Sequence, residues 1–196
     1  MLETSPFRFT NCVLPYELGN TSAADRKMKE SFGAVFDESG TYRYRLWRRW
    51  DQGLPAVCFV MLNPSTADCT DNDPTISRCV NMAANWGYGA IEVVNLYAFK
   101  TSKPRDLWLA VDPVGSHNDV HIKRAASHCS ACVIAWGNLP IGRLERAKSV
   151  LKLLHGKTLF CLGLTKLQQP RHPLYLSSEV NLESFTVPAT PVVTPL

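Results

Sequence analysis

Side chains able to position water or exchange protons follow directly on an apolar run near the middle of the chain. The run VCFVML, residues 57–62, gives way to NPSTADCTDND, which contains Asn63, Asp68, Asp71 and Asp73. A carboxylate can take up a proton or stabilise a developing positive charge, and an amide can hold a water molecule. Asp68 is the candidate catalytic carboxylate because it lies close to Asn63 in the sequence.

Polar and aromatic side chains also follow the next three apolar runs. They are, in chain order, Asn95, Trp136, Asn138, Lys166, Arg171 and His172. An amide offers a donor and an acceptor together and can therefore read the edge of a base, whereas Lys and Arg suit phosphate groups. Asn95 is the most informative of them, because an amide inside an apolar strand needs hydrogen-bond partners.

The elements that must position these side chains alternate between strand and helix. Apolar runs at residues 56–62, 91–99, 132–137 and 158–164 predict four buried strands, and helical spacing predicts helices between them. The alternation predicts a three-layer α/β/α fold with a small, mostly parallel four-stranded sheet, preceded by an N-terminal β-hairpin at residues 34–50. Ligands bind such sheets at the carboxyl ends of the strands. The four polar segments are therefore expected on one rim.

Several of these residues also have a purely structural interpretation. Asn63, Pro64 and Ser65 are typical of a turn. Asp73 before a proline predicts a helix cap more than a catalyst, and Asp71 is expected to be solvated. His172 could serve only in a structural hydrogen bond.

The segment TYRYRLWRRW, residues 41–50, combines four arginines with aromatic residues in a chain of net charge +4. As a strand it would place Trp47 and three arginines on one face, namely Arg43, Arg45 and Arg49. Arginines beside aromatic rings suit contact with a nucleic-acid backbone. The alternative is a hairpin with a solvated basic face.

Two patterns raise the question of a metal. His128 precedes a C-x-x-C motif at residues 129–132, but a zinc site needs a second pair of ligands at regular spacing, which the sequence lacks. Asp68, Asp71 and Asp73 could hold magnesium for phosphoryl transfer, although no glycine-rich phosphate loop accompanies them. We expect no metal and no cofactor.

Composition is that of an ordinary globular chain, with 196 residues of which 45% are hydrophobic. We expect an arm at residues 1–30, one α/β domain at 31–176 and a Pro/Thr-rich tail at 177–196. No apolar run approaches the roughly 18 residues of a membrane span, and the N-terminus lacks a signal pattern, which favours a cytoplasmic protein with no membrane partner. Its seven cysteines are expected to be reduced thiols.

Six segments resemble the domain-of-unknown-function family 1643. They are VMLNPSTAD, DPTISRC, WGYGAIEVVNLYAFKTSKP, GSHND, AWGN and LGLTKLQQPRHPLYL. The match extends over roughly residues 34–176, which is most of the chain. The family name carries no activity, so the residues must supply the function.

A more distant resemblance is to the uracil-DNA glycosylase superfamily. MLNPS, VVNLY, AWGN and RHPLY follow one another in the order in which that superfamily carries an Asn-Pro loop, an Asn-bearing strand end, a Trp-Gly strand end and a His-Pro loop. The sequence departs from that pattern at Ser65, where the superfamily has Gly, and at Leu174 and Tyr175, where it has Ser-Pro.

This resemblance implies roles in breaking an N-glycosidic bond. His172 would donate to the departing base, and Asn63 would hold the attacking water or fix the loop. Asp68 would stabilise the sugar cation, a role assigned from its closeness to Asn63 in the sequence and not from the resemblance. Base contacts would come from Asn95, Trp136 and Asn138. Contacts to the nucleic-acid backbone would come from Arg43, Arg45, Arg49, Lys166 and Arg171. Such an enzyme would act on a damaged or modified base that is flipped out of DNA.

Three hypotheses about function follow. The first is a nucleobase glycosylase-like hydrolase, the second a module of the same fold that binds nucleic acid or a nucleotide without cleaving it. The third is a metal-dependent nucleotide or nucleic-acid enzyme that uses the three aspartates. The sequence leaves the base, the kind of nucleic acid and the oligomeric state open.

Overall fold

The computed structural model of the chain describes residues 7–12, 31–65, 67 and 71–186. Its strands are β1 (Phe7–Cys12), β2 (Ser31–Asp37), β3 (Arg43–Arg49), β4 (Ala56–Met61), β5 (Ala90–Asn95), β6 (Ala131–Ile134), β7 (Leu159–Cys161) and β8 (Glu183–Ser184). Its helices are α1 (Pro74–Asn85), α2 (Pro104–Leu109), α3 (Asn118–Ser127) and α4 (Leu144–Leu153), with short 3-10 turns at Ile141–Arg143 and Pro173–Tyr175.

All eight described strands join one sheet in the order β1-β2-β3-β5-β4-β6-β7-β8. The four central strands β5, β4, β6 and β7 are parallel, as predicted. The prediction of a four-stranded sheet is nevertheless wrong, because β3 of the hairpin pairs antiparallel with β5 and continues the sheet. An unpaired β5 would have left a buried apolar strand with an open edge, and the hairpin covers that edge.

Both faces of the parallel strands are covered by helices, which gives the three predicted layers. Cys58 and Val60 of β4 pack with residues of α3 and α4, whereas Val57 and Phe59 pack with residues of α1 on the other face. The continuous apolar run of β4 is therefore the pattern of a strand that is buried on both sides.

Helix α1 begins as its sequence predicts. The Asp73 carboxylate accepts a hydrogen bond from the Ile76 N–H at 2.9 Å, and Pro74 occupies the first turn. Ile76, Cys79 and Met82 form its buried face. Asp73 is thus a helix cap, and the same bond fixes its carboxylate where β4 leaves the sheet.

The hairpin contains an irregularity that the sequence pattern did not predict. The register between β2 and β3 shifts at Val35 and Phe36, so that Val35 pairs with Arg45 and Phe36 pairs with Arg43. Phe36 packs on the α1 side, whereas the Arg45 guanidinium lies near Cys58 on the α3 side. Arg43 therefore does not share a face with Arg45, and that expectation is wrong, because a β-bulge redirects side chains.

Two strands lie outside the predicted domain of residues 31–176. Strand β1 falls in the predicted arm and pairs with β2, and β8 falls in the predicted tail and pairs with β7. The remainder of the arm and the end of the tail lie outside the described residues. Within the described part of the chain, no helix combines the length and the apolarity needed to cross a membrane.

Candidate functional site

A cavity of about 340 Å³ opens at the carboxyl ends of β4 and β6. Its polar lining is made of Arg43, Asn63, Ser65, Asp73, Thr75, Thr101, Ser102, Asn138 and His172, and its apolar and aromatic lining includes Met61, Leu62, Ile76, Trp136 and Tyr175. The volume is in the range of small-molecule sites, which begins at about 300 Å³. The predicted rim thus encloses a site large enough for one small ligand.

Asn63 ties together two of the loops around this cavity. Its side-chain amide donates to the Pro64 carbonyl at 2.9 Å and to the Thr101 carbonyl at 2.7 Å. Thr101 lies in the loop after β5, and its own N–H donates back to the Pro64 carbonyl at 3.0 Å. Because both amide hydrogens are used within the protein, the oxygen Oδ1 of Asn63 is the atom left for a ligand or a water molecule.

The end of β6 supplies an aromatic ring and a second oriented amide. Trp136 is buried against the α3 side while lining the cavity. Asn138 accepts a hydrogen bond at Oδ1 from the Thr165 hydroxyl at 2.7 Å, which leaves its NH₂ group as donor. Gly137 between them has φ of +77°, a conformation that L side chains rarely adopt, and its N–H donates to the Pro170 carbonyl at 2.9 Å.

His172 stands at the start of a 3-10 turn and lines the cavity. Its Nδ1 accepts a hydrogen bond from the Leu174 N–H at 3.3 Å. The neutral ring therefore carries its proton on Nε2 and can donate it to a ligand. Burial lowers the pKa of His172, and the nearby Asp73 carboxylate opposes only part of that effect, so the ring is neutral at pH 7.

Asp73 is the carboxylate that the structure brings into the cavity. One oxygen caps α1, and the residue is 9% exposed among the lining groups. Sequence analysis found the cap and assigned the catalytic carboxylate to Asp68, which lies outside the described residues. The sequence did contain a feature that predicts Asp73 at the cavity. The residue caps the first helix after β4, and the start of that helix is expected near the carboxyl end of the strand.

Arg43 enters the same cavity because of the bulge in the hairpin. The residue is 2% exposed, and its guanidinium donates to the Ala67 carbonyl. Sequence analysis placed Arg43 on a nucleic-acid backbone, whereas the structure places its cation in the wall of the cavity. No feature of the strand pattern reveals a bulge, so this position could not be read from the sequence.

A family model described as a protein of unknown function (DUF1643) matches residues 43–174, about two thirds of the chain. The chain belongs to the DUF1643 family. The match spans the sheet from β3 to β7 and ends at the His172 loop, so it contains every lining residue named above except Tyr175. No curated protein and no solved structure gave a significant match to this DUF1643 chain.

Not all the predicted site residues of the DUF1643 chain line the cavity. Asn95 is 2% exposed and is not among the lining residues. It is aligned with Met61 across β4 and β5, and its backbone carbonyl accepts a hydrogen bond from the Asn118 side chain. Its own Oδ1 has no hydrogen-bond partner among the described residues. The structure therefore brings together Asn63, Trp136, Asn138 and His172 at the cavity wall, but not Asn95.

The residues predicted to contact a nucleic-acid backbone fall into two groups. Arg45 makes a two-pronged ion pair with Glu92, with bonds of 2.6 and 2.5 Å, and half-buried Arg49 donates to the Asp51 carbonyl at 3.2 Å. Lys166 and Arg171 are exposed on the loop after β7, beside the cavity.

No metal centre is evident where the structure can be described. Outside the masked segments, no group of three His, Cys, Asp or Glu side chains is arranged to hold a metal ion. Asp71 is exposed and Asp73 caps a helix.

Proposed function

We propose that this DUF1643 chain binds a nucleobase in the cavity at the carboxyl edge and hydrolyses its N-glycosidic bond. The observation that carries the proposal is the set of three groups around one cavity: the Asn63 oxygen, the Asp73 carboxylate and the neutral His172 ring. The likeness of four segments to the uracil-DNA glycosylase superfamily supports it.

The chemistry divides among these groups as follows. Asn63 Oδ1 orients a water molecule whose oxygen bonds to C1′ of the sugar while the bond from C1′ to the base nitrogen breaks. Asp73 takes the proton that the water loses, and its negative charge stabilises the positive charge that develops on the sugar. The electron pair of the broken bond leaves with the base, where the Nε2–H of His172 donates a hydrogen bond to the negative charge.

The remaining lining residues would hold the base. The rings of Trp136 and Tyr175 offer apolar contact, and the NH₂ group of Asn138 donates to an oxygen or ring nitrogen on the base edge. Asn138 would thereby make a base contact that the sequence predicts both for it and for Asn95. Lys166 and Arg171 would contact phosphates of the attached strand.

A non-catalytic base-binding module is the second candidate. One observation favours it: Asn63 and Asp73 both make hydrogen bonds that hold the protein's own loops and helix. These structural bonds alone would explain why Asn63 and Asp73 occupy these positions, without a role in catalysis.

Single-turnover base release separates the two candidates. The substrates are oligonucleotides carrying uracil, hydroxymethyl or glucosylated pyrimidines, with binding to each measured in parallel and each assay repeated with a chelator. We expect release from at least one substrate, unaffected by the chelator. Tight binding with no release would favour the binding module, and release abolished by the chelator would favour a metal-dependent enzyme.

A further inference from the structure

Three cysteines that do not line the cavity meet in the core on the α3 side of the sheet. Cys58 lies on β4, Cys132 on the neighbouring strand β6, and Cys129 just after α3. All three are free thiols in one apolar cluster, and their exposed fractions are 0%, 0% and 5%. The C-x-x-C motif of residues 129–132 thus has a third thiol supplied by another strand.

The strand register brings one pair of cysteines within the Cα separation that a disulfide requires. Cys58 and Cys132 are direct partners in the parallel pairing of β4 and β6. Adjacent strands lie about 4.8 Å apart, and disulfides form when the two Cα atoms are about 4.4–6.8 Å apart. Aligned residues on neighbouring strands also direct their side chains to the same face.

The electrostatic surroundings make the two thiols chemically different. Hydrogen bonding to Cys58 lowers the pKa of the Cys132 thiol, and the nearby Lys157 ammonium lowers it further against the effect of burial. Hydrogen bonding to Cys129 and Cys132 raises the pKa of the Cys58 thiol. Cys132 is therefore the group that more readily becomes a thiolate, and thiolates are the form that peroxides oxidise.

We propose that Cys58 and Cys132 are a site of reversible oxidation, forming a disulfide between β4 and β6 when the protein meets hydrogen peroxide. The Cys132 thiolate attacks one peroxide oxygen, the O–O bond breaks, and the hydroxide that leaves is protonated to water. The Cys58 sulfur then attacks the resulting sulfenic acid; the S–S bond forms, and the S–O bond breaks as hydroxide leaves. That hydroxide takes the Cys58 proton and becomes the second water. This inference does not depend on the proposed function.

The other described cysteines provide the comparison. Cys79 lies in the cluster on the α1 side, and Cys161 pairs with Ile134 rather than with a cysteine. Among the side chains that the structure describes, neither has a second thiol aligned with it across the sheet. Oxidation is therefore expected to be selective for the pair and not a general property of buried thiols.

The test is a map of disulfides in the wild-type chain after peroxide treatment and blocking of the remaining thiols. Denaturing titration should show two thiols fewer than the seven in the sequence, restored by a reducing agent. Tryptic digestion should yield a cross-link between the peptides 50–78 and 125–143. Because these peptides also contain Cys69 and Cys129, the same map is made for Cys69→Ala and Cys129→Ala, which should retain the cross-link.

Three variants with comparable loss of a buried side chain complete the design. Cys58→Ala and Cys132→Ala should lose the cross-link, and Cys79→Ala should keep it. Absence of the cross-link in the wild-type chain would overturn the proposal even if a variant failed to fold. So would a cross-link that joins other cysteines, or loss of all seven thiols at one common rate.

Discussion

Asn63 holds two loops together through its side-chain amide, so its substitution is expected to destabilise the fold. Its two donated bonds reach Pro64 and Thr101 across the loops that follow β4 and β5. We expect Asn63→Ala to lower the free energy of unfolding by about 1–2 kcal/mol, at roughly 1 kcal/mol for each lost hydrogen bond. Urea unfolding checks the value.

Urea unfolding of two variants tests the structural role of Asn63. Ser65→Ala, in the same loop, removes a cavity hydroxyl and should leave stability nearly unchanged. If Asn63→Ala unfolds at the same urea concentration as the wild type, the amide does not hold the loops and its role is confined to the ligand.

His121 makes stability depend on pH. Its ring stacks on Tyr44 with ring centroids 5.1 Å apart. Burial is the main cause that lowers its pKa from 6.5 to about 4, and repulsion from Arg45 and Arg124 adds to the effect. In the unfolded chain this histidine is protonated below about pH 6.5, whereas in the folded chain it stays neutral down to about pH 4. The free energy of unfolding therefore decreases as the pH falls between these two values. We expect a loss on the order of 2 kcal/mol between pH 7 and pH 5.

The variant His121→Phe isolates this contribution because it retains a ring for Tyr44 and cannot titrate. Urea unfolding at pH 7, 6 and 5 should give a shallower loss of stability than in the wild type. Some loss should persist because burial also lowers the pKa of His172. Identical pH dependence in the two proteins would contradict the burial of a neutral His121.

At the N-terminus of helix α1, two substitutions of one residue separate its structural role from its chemical role. Asp73 caps the helix, and asparagine caps a helix about as well as aspartate. We expect Asp73→Asn to retain stability but to lose base release, because the carboxylate is gone. Asp73→Ala should lose base release and also about 1 kcal/mol of stability.

The comparison of these two variants is decisive for Asp73. Thermal unfolding and single-turnover base release are measured on the same preparations. If Asp73→Asn releases base at the wild-type rate, the carboxylate is a cap alone and the proton acceptor must be sought elsewhere, with Asp68 as the next candidate.

The elements that sequence reasoning predicted are those whose signals are local. The apolar run of β4, the cap at Asp73 and the period of α1 each depend on neighbouring residues, and each is present in the structure. Because parallel strands share a carboxyl edge, the same reasoning placed Asn63, Trp136 and His172 together.

What the sequence could not supply depends on distant or irregular contacts. The pairing of β3 with β5, which enlarges the sheet, joins strands separated by a helix and another strand. A bulge turns Arg43 into the cavity. The sequence of β3 alternates as in a regular strand and does not predict this bulge. Asn95 ends its strand, whereas the apolar run predicted a strand that continues to residue 99. Which face of a strand end meets a cavity depends on neighbours in space that the sequence does not reveal.

At the scale of the whole molecule, charge is distributed unevenly around the carboxyl edge. The segments 96–103, 135–143 and 162–176 contain Lys and Arg but no Asp or Glu, whereas residues 62–73 contain three aspartates. Under the proposed function, we expect the phosphates of the substrate to contact the first three segments and its reacting group to face the fourth.

Salt dependence tests this arrangement. Each phosphate contact releases counterions, so Lys166→Ala and Arg171→Ala should each reduce the slope of log affinity against log salt by about one. Lys152→Ala is the control, since Lys152 is exposed in the last turn of α4, away from the cavity loops. Equal slopes for all three variants and the wild type would remove the loop after β7 from the nucleic-acid contact.

The central claim is that His172 donates to a departing base inside this cavity. Its most direct test is single-turnover base release by His172→Ala, with substrate binding measured in the same experiment and the exposed His155→Ala as control. An interaction made mainly in the transition state appears in the rate and not in binding. We predict release slower by roughly a hundredfold, with binding nearly unchanged and His155→Ala equal to the wild type. Release at the wild-type rate, or a loss of binding as large as the loss of rate, would contradict the claim.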